Sequence, residues 1–153
     1  MQYTTHVVTS LLAGKVLDKA LLLNAGIPYY LGTAIGALLP DIDHPNSFIG
    51  RRSFGLSKII NKTFGHRGFT HSLLCTFIIG CTLYITLPAQ WAAGVALGYI
   101  SHILGDFFSK SGVPLMNPYS NKKYRLPIYK TGKLSETIIL ICSGLLLAYL
   151  TLL

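Results

Sequence analysis

The chain has 153 residues, enough for one domain, and carries a net charge of +8 at pH 7. About half of it is hydrophobic (51%) and only 12% is charged, whereas an average soluble domain is about 25% charged. This balance argues against an ordinary soluble domain. It favours an integral membrane protein with a single membrane-embedded domain over residues 1–153.

Five hydrophobic segments with helical patterning follow one another along the chain. They cover residues 4–24, 28–39, 71–87, 90–108 and 134–153. The second segment ends before Pro40, since the residue before a proline avoids helical geometry. A further stretch, residues 53–64, predicts a short amphipathic helix at the membrane interface. The sequence thus predicts an all-α integral membrane bundle of about five helices, with the first two the weakest candidates for full spans.

Two basic loops set the expected orientation of this bundle. Of thirteen Lys and Arg residues, five fall between Arg51 and Arg67 and six between Lys110 and Lys133. The turn that begins at Pro88 carries none. The positive-inside rule therefore places both loops in the cytoplasm. We expect these loops to contact membrane lipids and expect no specific binding of nucleic acid.

Histidines and acids collect at the same predicted cytoplasmic end. All five histidines and four of the five acids fall there, with Asp18 the exception. The set is His6, Asp41, Asp43, His44, His66, His71, His102, Asp106 and Glu136. Such side chains are costly near lipid unless they pair or coordinate a metal. Their convergence from five separate segments therefore predicts a metal site at the cytoplasmic end of the bundle.

The spacing within this set suggests individual roles. His102 and Asp106 are four residues apart on a predicted helix and share one face. Asp41 and Asp43 stand two apart in a turn, where one can ligate and the other orient a histidine. Glu136 opens the last helix, where an acid is favourable even without a metal. The histidine count favours zinc, although manganese and iron also accept mixed His and carboxylate sites. The set has room for two or three ions, and the sequence leaves their number open.

Arginines beside these residues indicate a phosphate-containing substrate. Arg51, Arg52 and Arg67 lie next to the candidate ligands in the sequence, and arginine forks match phosphate oxygens. We assign phosphate binding to Arg52 and Arg67. Asp43 is the candidate general base or bridging ligand.

Four motifs resemble the YdjM-like family, described as LexA-binding, inner-membrane-associated metal-dependent hydrolases. The motifs are LPDIDHPNSFIGRR, FGHRGFTHSLL, LGYISHILGDFFSKSGVPLMNP and RLP, within a resemblance from about Thr4 to Glu136. The motif order is also remotely similar to that of zinc-dependent phospholipase C and P1-type nucleases. Those proteins are helical and bind a zinc cluster through His, Asp and Glu.

The resemblance implies an inner-membrane, multi-pass protein and a set of metal ligands. That set is His6, Asp41 or Asp43, His66, His71, His102 and Asp106, with Glu136 as a further candidate. We expect no soluble tail of the kind that longer members carry, which weakens the expectation of a tail-mediated contact with LexA. The sequence leaves the oligomeric state open.

The resulting hypothesis is a membrane-bound, metal-dependent hydrolase. Metal-activated water would cleave a phosphoester, in a phospholipid or a lipid-linked phosphate, because the site lies at headgroup depth. The alternative is a structural or regulatory membrane protein that the metal stabilises without turnover. An ion transporter is the third class, but it would need polar residues at mid-membrane depth.

Overall fold

The computed structural model describes residues 1–152, and six α-helices make up most of them. The helices are α1 (Tyr3–Leu21), α2 (Ile27–Gly36), α3 (Leu56–Phe64), α4 (Leu73–Thr86), α5 (Ala89–Phe107) and α6 (Leu134–Leu152). The described residues contain no β-strand, only two isolated β-bridges within the segment that connects α5 to α6. The prediction of an all-helical fold is confirmed. The predicted end of the last helix, Leu153, lies outside the described residues.

Three short 3-10 turns connect the helices and carry most of the candidate site residues. They are Leu39–Asp43, Gly50–Arg52 and Phe69–His71. In the first turn Pro40 occupies an early position, where its missing N–H leaves no unsatisfied hydrogen bond. The last turn ends where α4 begins, because the Ser72 hydroxyl caps that helix by accepting the Cys75 N–H. His71 is thereby fixed immediately before a helix start.

Helices α2 and α5 pack backbone against backbone through pairs of glycines. Gly32 and Gly36 on α2 face Gly94 and Gly98 on α5, each pair spaced by four residues. A Cβ at Gly36 would overlap the carbonyl of Val95, and one at Gly98 would overlap that of Thr33. Small residues at this spacing let two helices approach closely. The contact places the end of α2 beside the middle of α5.

Among residues 1–152, α6 is the one helix long and apolar enough to cross a membrane. Helix α2 has 10 residues and α4 has 14, about 15 and 21 Å of helix against a hydrocarbon core about 30 Å thick. Helix α1 carries Lys15, Asp18 and Lys19 within its length. The expected bundle of about five membrane spans is therefore confirmed only as an all-helical chain with one clear candidate span.

We predict that Gly98→Ala destabilises the fold by about 1–3 kcal/mol, because the added methyl group forces α5 away from α2. Unfolding in detergent, followed by circular dichroism, measures the change. The matched control is Gly80→Ala on α4, since a Cβ there meets no atom of the described chain within 4 Å. Equal losses of stability in both variants would contradict the role given to the α2–α5 contact.

Candidate metal centre

Five ligand-type side chains from four parts of the chain meet at one end of the helices. His6 comes from α1, Asp41 from the turn after α2, His71 from the turn before α4, and His102 and Asp106 from α5. The three histidines and Asp106 are fully buried, and Asp41 is partly exposed. Polar groups buried to this extent need partners or a bound cation.

Two carboxylates, Asp41 and Asp106, lie near the same pair of histidine nitrogens. The Asp41 Oδ1 atom lies 3.9 Å from His71 Nε2 and 3.6 Å from His102 Nε2. The Asp106 Oδ2 atom lies 3.7 and 4.0 Å from the same two nitrogens. Two ligands of one tetrahedral zinc, each about 2.0–2.2 Å from the metal, stand roughly 3.3 Å apart. A small contraction of the cluster would therefore suit a single zinc-sized ion.

His6 extends the cluster on one side. Its ring stacks on that of His102, with centroids 3.6 Å apart and planes 8° apart, and its Nε2 lies 3.5 Å from Asp106 Oδ1. Potential ligand atoms lie within 4.8 Å of one another in two groups, which share His102. The groups are His6, Asp41 and His102, and His71, His102 and Asp106. The donor set thus fits one metal ion or two neighbouring ions.

The histidine nitrogens that face the cluster are unsatisfied. The Nε2 atoms of His6, His71 and His102 have no hydrogen-bond partner within residues 1–152. Buried polar atoms in folded proteins almost always have a partner. Three such nitrogens aimed at two carboxylates match the donor chemistry of a divalent cation. Buried His and Asp clusters able to hold a metal ion are therefore present, as the sequence predicted.

Hydrogen bonds behind the cluster fix the orientation of two imidazole rings. His102 Nδ1 lies 2.7 Å from the carbonyl oxygen of Ala37, which only accepts, so Nδ1 carries the proton. Ala37 directly follows α2, so the close packing of α2 and α5 sets this contact. His71 Nδ1 lies 3.2 Å from Asp43 Oδ2. In both rings the Nε2 lone pair is left facing the cluster, as metal-binding histidines require.

Asp43 is a hydrogen-bonding hub beside the cluster. It is fully buried and accepts the Thr70 hydroxyl at 2.6 Å and the Arg67 backbone N–H at 2.9 Å. Its Oδ1 lies 3.0 Å from His66 Nδ1. Burial alone would raise the pKa of the Asp43 carboxyl, but hydrogen bonds from His66, His71 and Thr70 outweigh it and hold that pKa well below its usual range. The carboxylate therefore stays charged and holds two histidines in place.

Three of the predicted ligands lie outside these two groups, namely Asp43, whose contacts are given above, His66 and Glu136. His66 points one nitrogen at Asp43, and its ring is otherwise exposed beside His44, with centroids 4.5 Å apart. Glu136 accepts the backbone N–H groups of Gln2 at 2.5 Å and Gly132 at 2.6 Å, one with each oxygen. These contacts join the start of α6 to the start of α1.

A basic cavity of about 600 Å³ opens onto the cluster. Asp41 and Arg67 line both the cavity and the cluster, and Arg51, His44 and His66 line its wall. Arg52 does not line it. The Arg52 guanidinium lies 3.9 Å over the Phe48 ring and donates to the Phe48 carbonyl at 2.8 Å. Of the two arginines in the second 3-10 turn, the structure thus places Arg51 at the cavity and Arg52 away from it.

Arg67 links the cavity to the cluster in a strained backbone conformation. Its φ of 55° lies in the left-handed region, which non-glycine residues rarely adopt. Its side chain pairs with Asp106 Oδ2 at 2.7 Å, and the terminal amine of Met1 pairs with Asp106 Oδ1 at 2.6 Å. Strained residues of this kind cluster at functional sites, where the surrounding structure over-determines them.

We predict that Asp43→Asn weakens zinc binding by roughly 10–100-fold, because the amide replaces one of the two oxygens that hold His66 and His71. Competition between the purified protein and a chelating dye measures the affinity. Asp18→Asn is the matched control, since Asp18 contacts Ala25 and Tyr30, away from the cluster. Unchanged affinity in Asp43→Asn, or an equal loss in the control, would contradict the orienting role.

Comparison with known proteins places the chain in a family. The family described as YdjM inner membrane protein matches residues 1–152. The chain is 46% identical over 114 residues to inner membrane protein YdjM of Escherichia coli (strain K12), covering 71% of this chain and 58% of that protein. It is 44% identical over 117 residues to the uncharacterized protein YvsG of Bacillus subtilis (strain 168), covering 75% of this chain and 71% of that protein.

The chain spans 58% of the length of the Escherichia coli relative. No solved structure matches it, so the remote likeness to phospholipase C and P1-type nucleases stays a prediction. The match over residues 1–152 and the identity with curated relatives confirm the family that the four motifs suggested. The chain belongs to the YdjM inner membrane protein family.

Proposed function

We propose that this chain binds a divalent cation of the zinc type and hydrolyses a phosphoester in a membrane lipid or a lipid-linked phosphate. The observation that carries the proposal is the convergence of three buried Nε2 atoms, unpartnered within residues 1–152, with two carboxylates. That convergence lies beside a cavity lined with arginine and histidine. Cation donors and anion-binding groups thus stand next to one another.

The ion would be held by His71, His102, Asp41 and Asp106, with His6 available to a second ion. When bound, such an ion lowers the pKa of its coordinated water and polarises a phosphoryl oxygen. Each residue of the cluster has one task, which is to present a lone pair in a buried, preorganised setting. The buried surroundings strengthen the interaction of these groups with charge.

Residues of the cavity wall supply the remaining chemistry. Arg51 and Arg67 bind non-bridging phosphate oxygens through their guanidinium groups. His66 lines the cavity and contacts Asp43 through Nδ1, and in this proposal its other nitrogen donates a proton to the leaving oxygen. In this proposal Asp43 orients these histidines rather than acting as a base, since it is fully buried and does not line the cavity.

We further propose that several helices lie in the bilayer, with the metal centre at the cytoplasmic face. Large apolar side chains point outward from helices other than α6, and water-facing surfaces rarely carry so many. They include Leu21, Ile35, Phe77, Ile85, Ile100 and Leu104. The two basic loops adjoin the metal-centre end of the helices, which supports a cytoplasmic orientation.

In the competing function the metal is structural and only holds the elements together. Structural zinc closes its coordination shell with protein ligands. The open cavity beside Asp41 favours turnover, because it gives a phosphate group access to the cluster. Independent measurement of bound metal and of product separates the two functions.

We predict that the purified protein, loaded with zinc in phospholipid nanodiscs, releases a water-soluble phosphate product detectable by ³¹P NMR. His102→Ala and Asp106→Ala should lose both zinc and product, because each removes a donor to the cluster. Arg51→Ala should keep its zinc and lose roughly 10²–10³-fold in turnover, as when one charge-stabilising donor is removed.

Arg52→Ala is the matched control for the arginine variant, because Arg52 is stacked on Phe48 and does not line the cavity. It should turn over at the rate of the unchanged protein. Full zinc content without product, from nanodiscs that contain anionic, zwitterionic and lipid-linked diphosphate substrates, would contradict the hydrolase and support the structural metal.

A further inference from the structure

Residues 54–64 present an apolar surface that the described chain leaves uncovered. Phe54 is fully exposed at the turn before α3, with a left-handed φ of 49°. Leu56 is 48% exposed and Ile59 is 65% exposed. We call this set of three side chains the α3 patch. Three large apolar groups in a stretch of six residues are unusual on a surface that faces only water.

Helix α3 has three distinct faces. Leu56, Ile59 and Thr63 follow helical spacing and form the outward apolar face. Ser57 is buried against the protein, and the Asn61 Nδ2 donates to the Asp43 carbonyl at 2.7 Å. The exposed Lys58 and Lys62 flank the apolar face on the remaining side. Apolar residues flanked by lysines are the arrangement that lets a helix lie in the plane of a membrane interface.

The position of α3 in the molecule matches the depth of a membrane interface. Helix α6 begins beside α1, because Glu136 accepts the Gln2 N–H at 2.5 Å. The start of α1 carries His6 of the metal centre, and Asn61 ties α3 to Asp43 next to that centre. Since α6 is long and apolar enough to cross the bilayer, its first turn marks a membrane boundary. Helix α3 therefore lies near that boundary.

Charge selects the kind of surface that would cover the patch. The sequence contains no acid from residue 44 to residue 105, whereas five Lys and Arg residues fall between Arg51 and Arg67. Anionic phospholipids at the cytoplasmic face attract such basic segments.

We propose that the α3 patch docks on the anionic phospholipid surface of the bilayer that holds α6. Phe54, Leu56 and Ile59 insert below the headgroups, while Lys58 and Lys62 contact lipid phosphates. The cavity lined by Arg51 is thereby held against the headgroup layer. This proposal does not depend on hydrolysis.

The test uses a single tryptophan as a reporter in the full chain. Trp91 is the only tryptophan, so Trp91→Phe removes the background and Phe54→Trp introduces the probe. In nanodiscs with anionic phospholipid, the emission should be blue-shifted, quenched by lipids brominated near the headgroup and shielded from acrylamide. Ile59→Trp serves as a second reporter, and Tyr149→Trp, exposed on α6, shows the response of a lipid-facing probe.

Matched double variants test the role of charge. Lys58→Ala with Lys62→Ala should weaken the quenching of Trp at position 54 and remove its dependence on anionic lipid. Lys122→Ala with Lys123→Ala removes the same charge from exposed residues of another loop and should leave the quenching unchanged.

Two results would overturn the proposal. The first is emission at both reporter positions that acrylamide quenches freely and brominated lipids do not, since it would place the patch in water. The second is a blue shift that needs another protein and persists without anionic lipid, since it would assign the patch to a protein partner.

Discussion

The fold depends on one electrostatic constraint, which is that imidazoles and carboxylates buried together need a cation. His6, His71 and His102 are buried with Nε2 atoms that have no partner in the described chain, and Asp106 lies among them. Removing such groups from water costs several kcal/mol unless they pair or bind a metal. In this structure the Arg67 guanidinium neutralises part of the charge on Asp106. A divalent ion would satisfy the nitrogens, which arginine, having only donors, leaves unsatisfied.

The helices are arranged so that hydrogen bonds on the side away from the cluster orient its histidines. The glycine contact between α2 and α5 brings the Ala37 carbonyl to His102 Nδ1, and that hydrogen bond sets which nitrogen faces the cluster. Asp43 performs the same task for His71 and also holds His66. Packing between two helices and one buried carboxylate thus determine the chemistry available at the site. The cavity beside Asp41 then determines what can reach it.

The meeting of the ligand-type residues at one end of the helices could be predicted from the sequence, whereas the role of each residue there could not. His102 and Asp106 share a helix face by spacing, and positive charge placed the other ligand-type residues at the same end. Asp41 and Asp43, two apart in one turn, point to different neighbours only after the turn is folded. No sequence pattern distinguishes Arg51 from Arg52, because their side chains take different directions only once the 3-10 turn has formed. The four-residue glycine spacings of α2 and α5 are present in the sequence, but only the folded chain shows that the two pairs face one another. The six helices are the five predicted segments and the predicted short amphipathic helix, but apolar patterning could not tell a helix as short as α2 from a full span.

Metal binding by the buried cluster is tested most directly by a crystal structure of the zinc-loaded protein, with anomalous data collected on both sides of the zinc absorption edge. We expect an anomalous peak between His71 Nε2, His102 Nε2, Asp41 Oδ1 and Asp106 Oδ2, with any second peak beside His6. A peak confined to the exposed pair His44 and His66, or zinc-loaded protein with no peak among the buried residues, would contradict it.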